Sequence, residues 1–397
     1  MIMVPSNPSP MKKRLRWFRF SLRTMLLVLV VFAVWLGVQT NRARRQREAV
    51  AAILQLKGTV FYDYQQVSPS RLLFNPKAQP RAPAWLRQLV GDEYFQEVAV
   101  VHHGNPEVTD ADLEHLAGMT ELQWLTLYSD GSGRMRQVTD AGLQKLSGLT
   151  KLTRLSLEAT KITDQGLAHV KGMTRLRALD VDFTQITGAG AEHLKNLKQL
   201  ERLDVRNTRF DDAGMKHLQG LRNLRELYLY ATQVTDVGLE HLKNLNDLES
   251  LGLGYNQVSG AGMSHLKGLA KLKTLDLSYT RVGDGGLEDL KGLKMLESLD
   301  LTETLVSDQG LMHLSEMPNL ELLFLNRTRV SDAGLVHLRP LPKLEGLFLG
   351  FTQITDDGLQ NLKGLTTLQG VHVMGTRVTD AGVKDLQQSL PGVTVNR

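Results

Sequence analysis

Hydrophobic residues are distributed along this chain in two ways. Across residues 25–38 they run without interruption, whereas from about residue 96 onward they recur in a fixed pattern. One unit of that pattern sets Leu152, Leu155 and Leu157 ahead of Ile162, followed by Leu167, Val170 and Met173. Leu155 and Leu157 alternate at the two-residue period of a strand, which sends both into a core and leaves Arg154, Ser156 and Glu158 facing solvent. Leu167, Val170 and Met173 fall at helical spacing behind Thr163 and Asp164, a pair that can cap a helix and match its dipole. Each unit therefore reads as a strand, a turn and a short return helix, with Gly166 permitting close packing.

The acid ahead of the Gly-Leu pair marks the phase: Asp110, Asp140, Asp164, then Gly188 in the same slot, Asp212, Asp236, Gly260, Asp284, Asp308, Asp332, Asp356 and Asp380. Every interval after residue 140 is 24 residues. A unit this small cannot bury its own apolar face, so identical units must stack and share one core, which predicts a solenoid. The interval from Asp110 to Asp140 is 30, placing six extra residues near positions 131–136, and Asn105 with Pro106 form a smaller insertion one turn earlier. Leu390, Val393 and Val395 offer a last, truncated strand.

The pattern Leu-x-x-Leu-x-Leu-x-x-Thr-x-Ile, carried by Leu152, Leu155, Leu157, Thr160 and Ile162, resembles the leucine-rich-repeat family over roughly residues 95–397. The resemblance implies an α/β horseshoe, with a parallel sheet on the concave side and short helices on the convex side. Where that family usually has asparagine, this chain has threonine at 160, 184, 208, 232, 280, 304, 328, 352 and 376, and asparagine only at Asn256. A hydroxyl both donates and accepts, so a ladder of threonines between neighbouring turns is expected to replace the amide ladder. The Thr-Asp-x-Gly-Leu segment is also similar to the repeats of F-box ubiquitin-ligase adaptors. The adaptor domain is missing, so only the horseshoe carries over, and the closer resemblance is to bacterial membrane-anchored leucine-rich-repeat proteins.

Residues 24–41 carry no formal charge and would span roughly 27 Å as a helix, close to a bilayer core. Six basic residues precede this run and four follow it, with Trp17, Phe18, Phe20 and Trp35 near its ends. The expected organisation is a basic tail (1–23), a transmembrane signal anchor (24–41), a juxtamembrane helix, strand and Pro-rich spacer with an N-terminal cap (42–95), and the solenoid (96–397). The juxtamembrane helix is expected to stop at Gly58. A cleaved secretory signal is the competing reading, but no small-x-small site follows the run and Arg42, Arg44, Arg45 and Arg47 come next. The charge asymmetry puts the solenoid on the extracytoplasmic side of a single-pass membrane protein.

Composition narrows the chemistry. The net charge of +5 is uneven: residues 1–50 hold ten Lys/Arg and one Glu, whereas the remainder holds 37 Lys/Arg against 41 Asp/Glu. The basic charge therefore flanks the apolar run instead of forming a patch on the folded body, and nucleic acid is not an expected partner. With no cysteine there is no disulfide, thiolate metal site or cysteine nucleophile. His115, His169, His193, His217, His241, His265, His313 and His337 recur at one slot, as a scaffold feature does and a single active site does not. No catalytic motif, cofactor, metal site or small-molecule substrate is expected.

What packing does not dictate is the solvent-facing side of the strands. There, Glu158, Asp180, Asp182 and Asp204 precede Tyr228, Tyr230, Tyr255 and Tyr279; Asp276, Asp300 and Glu303 follow, then Phe324, Phe348 and Phe351. Asp180 beside Asp204, and Asp276 beside Asp300, place like charges on adjacent strands at a cost that Arg154, Arg202 and Arg206 can offset. About thirteen strands at 4.8 Å make a concave run of roughly 60 Å, suited to a protein or peptide partner. The expected function is a membrane-anchored scaffold that recognises such a partner through this face. A structural envelope or self-association role without a fixed ligand is the alternative.

Overall fold

The computed structural model describes residues 22–68, 73–75, 77–80, 82–105, 107–127 and 137–397. Most of the basic tail, Pro69, Pro76, Pro106 and the insertion at 131–136 lie outside the described residues.

The alternating leucines do form strands, and the strands form one sheet of fourteen among the described residues. Its first strand, Thr59–Tyr62, runs antiparallel to the second, Val98–His103. From Val98–His103 onward every neighbour is parallel and consecutive in the chain, ending at Thr394–Asn396. The register is that of the repeat: Leu155 pairs with Leu179, Leu179 with Leu203 and Leu203 with Leu227. These leucines are 0–1% exposed and belong to one continuous core. Return segments on the outer side include α-helices such as Asp164–Leu167 and Asp212–Leu218. Others are wound as 3-10 turns, among them Gly188–Leu194 and Gly260–Leu266, whose first residue lacks the carboxylate that matches a helix dipole.

The acid slot does more than match that dipole. Asp140 accepts hydrogen bonds from both the backbone N of Thr163 (2.8 Å) and its Oγ1 (2.6 Å), one turn further on. The threonine oxygen in turn accepts from Gln165 N and caps its own helix. The same clasp joins Asp110 to Thr139, Asp164 to Thr187, Asp212 to Thr235, Asp236 to Ser259, Asp284 to Ser307, Asp308 to Ser331, Asp332 to Thr355 and Asp356 to Thr379. Gly166 is required beneath it, since a Cβ there would lie 2.3 Å from Asp140 Oδ1. Where the slot is glycine the hydroxyl is missing too: Gly188 faces Asp211, and Gly260 faces Gly283.

The expected threonine ladder takes a different form. Each hydroxyl donates within its own turn, as Thr160 Oγ1 does to Leu157 O (2.7 Å) and Thr280 Oγ1 to Leu277 O (2.6 Å). A threonine side chain is too short to reach the next turn while closing its own. Asn256 has the reach: it donates to Leu229 O and Leu253 O, and accepts from Thr232.

At the amino-terminal end a single helix, Leu22–Gln55, changes character along its length. Its first part exposes a continuous apolar surface, whereas Ala43, Gln46, Ala49 and Ile53 are buried against the first turns. Gln46 anchors this packing, donating to Gln96 O (2.9 Å) and accepting from Val98 N (3.4 Å). The left-handed residue ending the helix is Lys57 (φ 60°), not Gly58. Gly58 serves close approach instead, because a Cβ there would sit 2.6 Å from Ile53 Cγ2.

Candidate functional site

Because the strands stack in register, the inner wall is a set of columns. One column reads Ser156, Asp180, Asp204, Tyr228, Gly252, Asp276, Asp300, Phe324, Phe348, His372 and Asn396. Of the residues expected on the wall, Asp180, Asp204, Tyr228, Asp276, Asp300, Phe324 and Phe348 share it. Glu158, Asp182 and Tyr230 lie one alternation further, beyond the strand ends.

Tyr255, Tyr279, Glu303 and Phe351 are not strand residues. They occupy a corner in left-handed backbone, with φ of 57°, 55°, 56° and 59°. Ala159, Phe183, Asn207, Ala231 and Arg327 take the same corner in other turns, and Gly375 is its one glycine among the described residues. That conformation costs a residue with a Cβ about 1–2 kcal/mol and ordinarily selects glycine or asparagine. Here it holds Phe183, Tyr255, Tyr279 and Phe351, whose exposures of 51, 52, 38 and 48% show that burial does not compensate in full. Neighbouring corners bring Tyr255 and Tyr279 into a stack at 4.2 Å, with Tyr230 against Tyr255 at 5.3 Å. On the strand column, Phe324, Phe348 and His372 stack at successive centroid distances of 4.3 Å. The Arg327 guanidinium lies 4.7 Å over the Phe351 ring.

The two acid pairs are solved differently. Asp204 is fully buried, contrary to its expected exposure, because Arg206 folds back from two residues further on. Arg206 Nε donates to Asp204 Oδ1 at 2.8 Å and a terminal nitrogen donates to Oδ2 at 2.7 Å. Arg202 adds a contact at 3.4 Å and donates to Glu226 Oε2 at 2.6 Å. Asp182 is also buried, not solvent-facing. Burial first, and then the neighbouring Asp180 carboxylate, push its pKa up to about 9, and burial raises that of Asp180 as well. At the second pair no arginine among the described residues bonds to either carboxylate. Asp276 accepts from Ser278 N and Oγ (2.9 and 2.6 Å), and Asp300 accepts from Thr302 N (2.8 Å). Burial raises the pKa of Asp300, with the Asp276 charge adding to it.

A basin of about 250 Å³ opens on the wall before the first acid pair, lined by Trp124, Arg154, Glu158, Asp180 and Arg202 among others. Arg154 sits 5.4 Å over the Trp124 ring and His102 meets that ring edge-on at 4.5 Å. Phe183 and Trp124 were not singled out from the sequence. The signal for Phe183 was its position immediately before the threonine slot, a phase shared by Tyr255, Tyr279 and Phe351.

Residues 174–234 and 222–282 match the leucine rich repeat family. Among solved structures, an internalin from Listeria monocytogenes aligns with a TM-score of 0.57 at 23% identity, over 78% of this chain and 92% of that one. A TDR receptor aligns at 18% identity with a TM-score of 0.46, over 67% of this chain and 49% of that one. No curated protein matches the chain.

Proposed function

Taking this chain as the leucine-rich-repeat solenoid that its stacked turns make it, we propose that it is a membrane-anchored scaffold whose concave wall recognises a protein or peptide. One observation carries this reading. Half-exposed aromatic rings occupy left-handed corners where the fold by itself favours glycine, so stability does not explain their presence. Beside them Asp276, Asp300 and Glu303 supply negative charge, which suits a partner segment carrying basic residues around an apolar or aromatic anchor.

The anchoring half rests on the helix Leu22–Gln55. Its apolar stretch has a mean hydropathy of 2.0 and no burial, a surface that suits the interior of a bilayer better than water. In this reading residues 24–41 lie in lipid, 42–95 join the bilayer to the body, and 96–397 form the recognition body on the extracytoplasmic side. Self-association is a second reading, favoured by the open outer edge of the terminal strand Thr394–Asn396.

Photo-crosslinking in the native cell separates the two. A benzophenone side chain in place of Tyr279 or Phe348 should give a discrete adduct with another protein, and one in place of His265 on the outer side should not. Adducts with a second copy of this chain alone, or equal adducts from both sides, would reject the recognition reading.

A further inference from the structure

We propose that Asp180, Asp182 and Asp204 bind a divalent cation of the calcium class. Asp180 and Asp204 are register partners on adjacent parallel strands, and Asp182 returns to the same point two residues after Asp180. One carboxylate oxygen from each lies within 4.8 Å of the other two. Oxygen ligands sit about 2.3–2.6 Å from Ca²⁺, so opposed ligands are about 5 Å apart, whereas around Mg²⁺ they are about 4.1 Å apart. Separations within 4.8 Å fit either span, and carboxylates held in place by strand backbone suit Ca²⁺, whose coordination geometry is the more flexible.

Asp182 supplies the independent evidence. It is 5% exposed, and its Oδ1 receives no hydrogen bond from any described group. A buried carboxylate oxygen left without a donor is costly; without an ion the Asp180–Asp182 pair is relieved by a proton, and a divalent cation takes that proton's place. The arginines do not fill that role. Arg206 is engaged with both oxygens of Asp204 and stands 3.9 Å from Asp182 Oδ2, while Arg202 is committed to Asp204 and Glu226. With both guanidiniums engaged at Asp204 and Glu226, neither closes a hydrogen bond to the side chain of Asp180 or Asp182. The ion has a route in, because Asp180 also lines the basin on the concave wall, where water can complete the coordination shell. The second acid pair offers the contrast: Asp276 and Asp300 each hold local donors, and among the described residues no third carboxylate converges on them.

The site goes beyond the recognition surface and needs no partner, so it is tested on the full chain alone in detergent micelles. After treatment with a chelator, calorimetric titration with Ca²⁺ should show one ion bound per chain, together with a rise in Tm. Asp182→Asn and Asp180→Asn should each weaken binding about tenfold or more, and Asp300→Asn should leave it unchanged. Circular dichroism identifies a variant that has lost its fold. Asp180→Asn, at the more exposed position, then carries the comparison. Undiminished Ca²⁺ affinity in the folded variants, equal affinity for Mg²⁺, or no saturable binding by the wild type at about 10 mM Ca²⁺, would overturn the assignment.

Discussion

Asp236 receives two hydrogen bonds from Ser259, at 2.8 Å from its backbone N and 2.6 Å from its hydroxyl, and so ties one turn of the solenoid to the next. Hydrogen bonds to a charged acceptor contribute more than neutral ones, and this one joins units whose stability depends on their interfaces. A double-mutant cycle of Asp236→Ala and Ser259→Ala, followed by urea unfolding, should return a coupling of about 1–2 kcal/mol. A coupling near zero would mean that the clasp is geometric coincidence.

The chain supplies its own converse experiment. Gly260 and Gly283 form one of two turns that lack both the slot carboxylate and the hydroxyl, yet Gly286 beneath them keeps the space that the carboxylate needs. Added Cβ atoms at 260 and 283 would meet nothing closer than 3.3 and 3.7 Å. The double substitution Gly260→Asp/Gly283→Ser should therefore raise Tm, and Gly260→Asp alone should raise it less, since its carboxylate would keep the Gly283 N–H and lack the hydroxyl donor.

If the corner aromatics are not there for folding, removing them must be cheap. Tyr279→Gly and Phe351→Gly relieve left-handed strain while losing partly exposed rings, and the net change should stay within about 1 kcal/mol. Leu251→Ala in the adjacent core, at 0% exposure, should cost about 2–5 kcal/mol. Chemical denaturation of the three variants decides it, and a corner loss as large as the core loss would assign those rings to the scaffold.

Asp300 gives a pH dependence with a definite sign. Its folded-state pKa is raised above the ordinary value of 3.8, so the folded chain holds a proton that the unfolded chain has released. Its contribution to stability is full below about pH 3.8 and is lost as pH rises through the raised value. Asn at this position can still accept from Thr302 N. The stability of Asp300→Asn relative to wild type should therefore grow from about pH 3.8 upward and then level off. A constant difference across that range would show that Asp300 titrates normally.

The period, the core leucines, the parallel sheet and the threonine slot were all legible, because each depends on phase within a 24-residue unit and phase is visible in one dimension. The direction of a hydrogen bond was not. Whether Thr160 reaches its own turn or the next depends on side-chain length against turn spacing, and only Asn256 proved long enough. Nor could alternation tell that Asp182 and Asp204 would be buried, since that follows from Arg206 folding back across the wall. The clasp did leave a trace that was passed over: both breaks in the acid series, Gly188 and Gly260, coincide with loss of the hydroxyl 23 residues on, at Asp211 and Gly283.

The central claim is that the inner wall is dispensable for the fold and needed for recognition. One variant, Tyr255→Ala/Tyr279→Ala/Phe324→Ala/Phe348→Ala, tests both halves when its thermal melt is measured beside the yield of partner adduct from a crosslinker placed at Tyr230. The account predicts a cooperative melt close to that of the wild type, with the adduct lost. A collapsed melt, or an adduct formed as well as before, would contradict it.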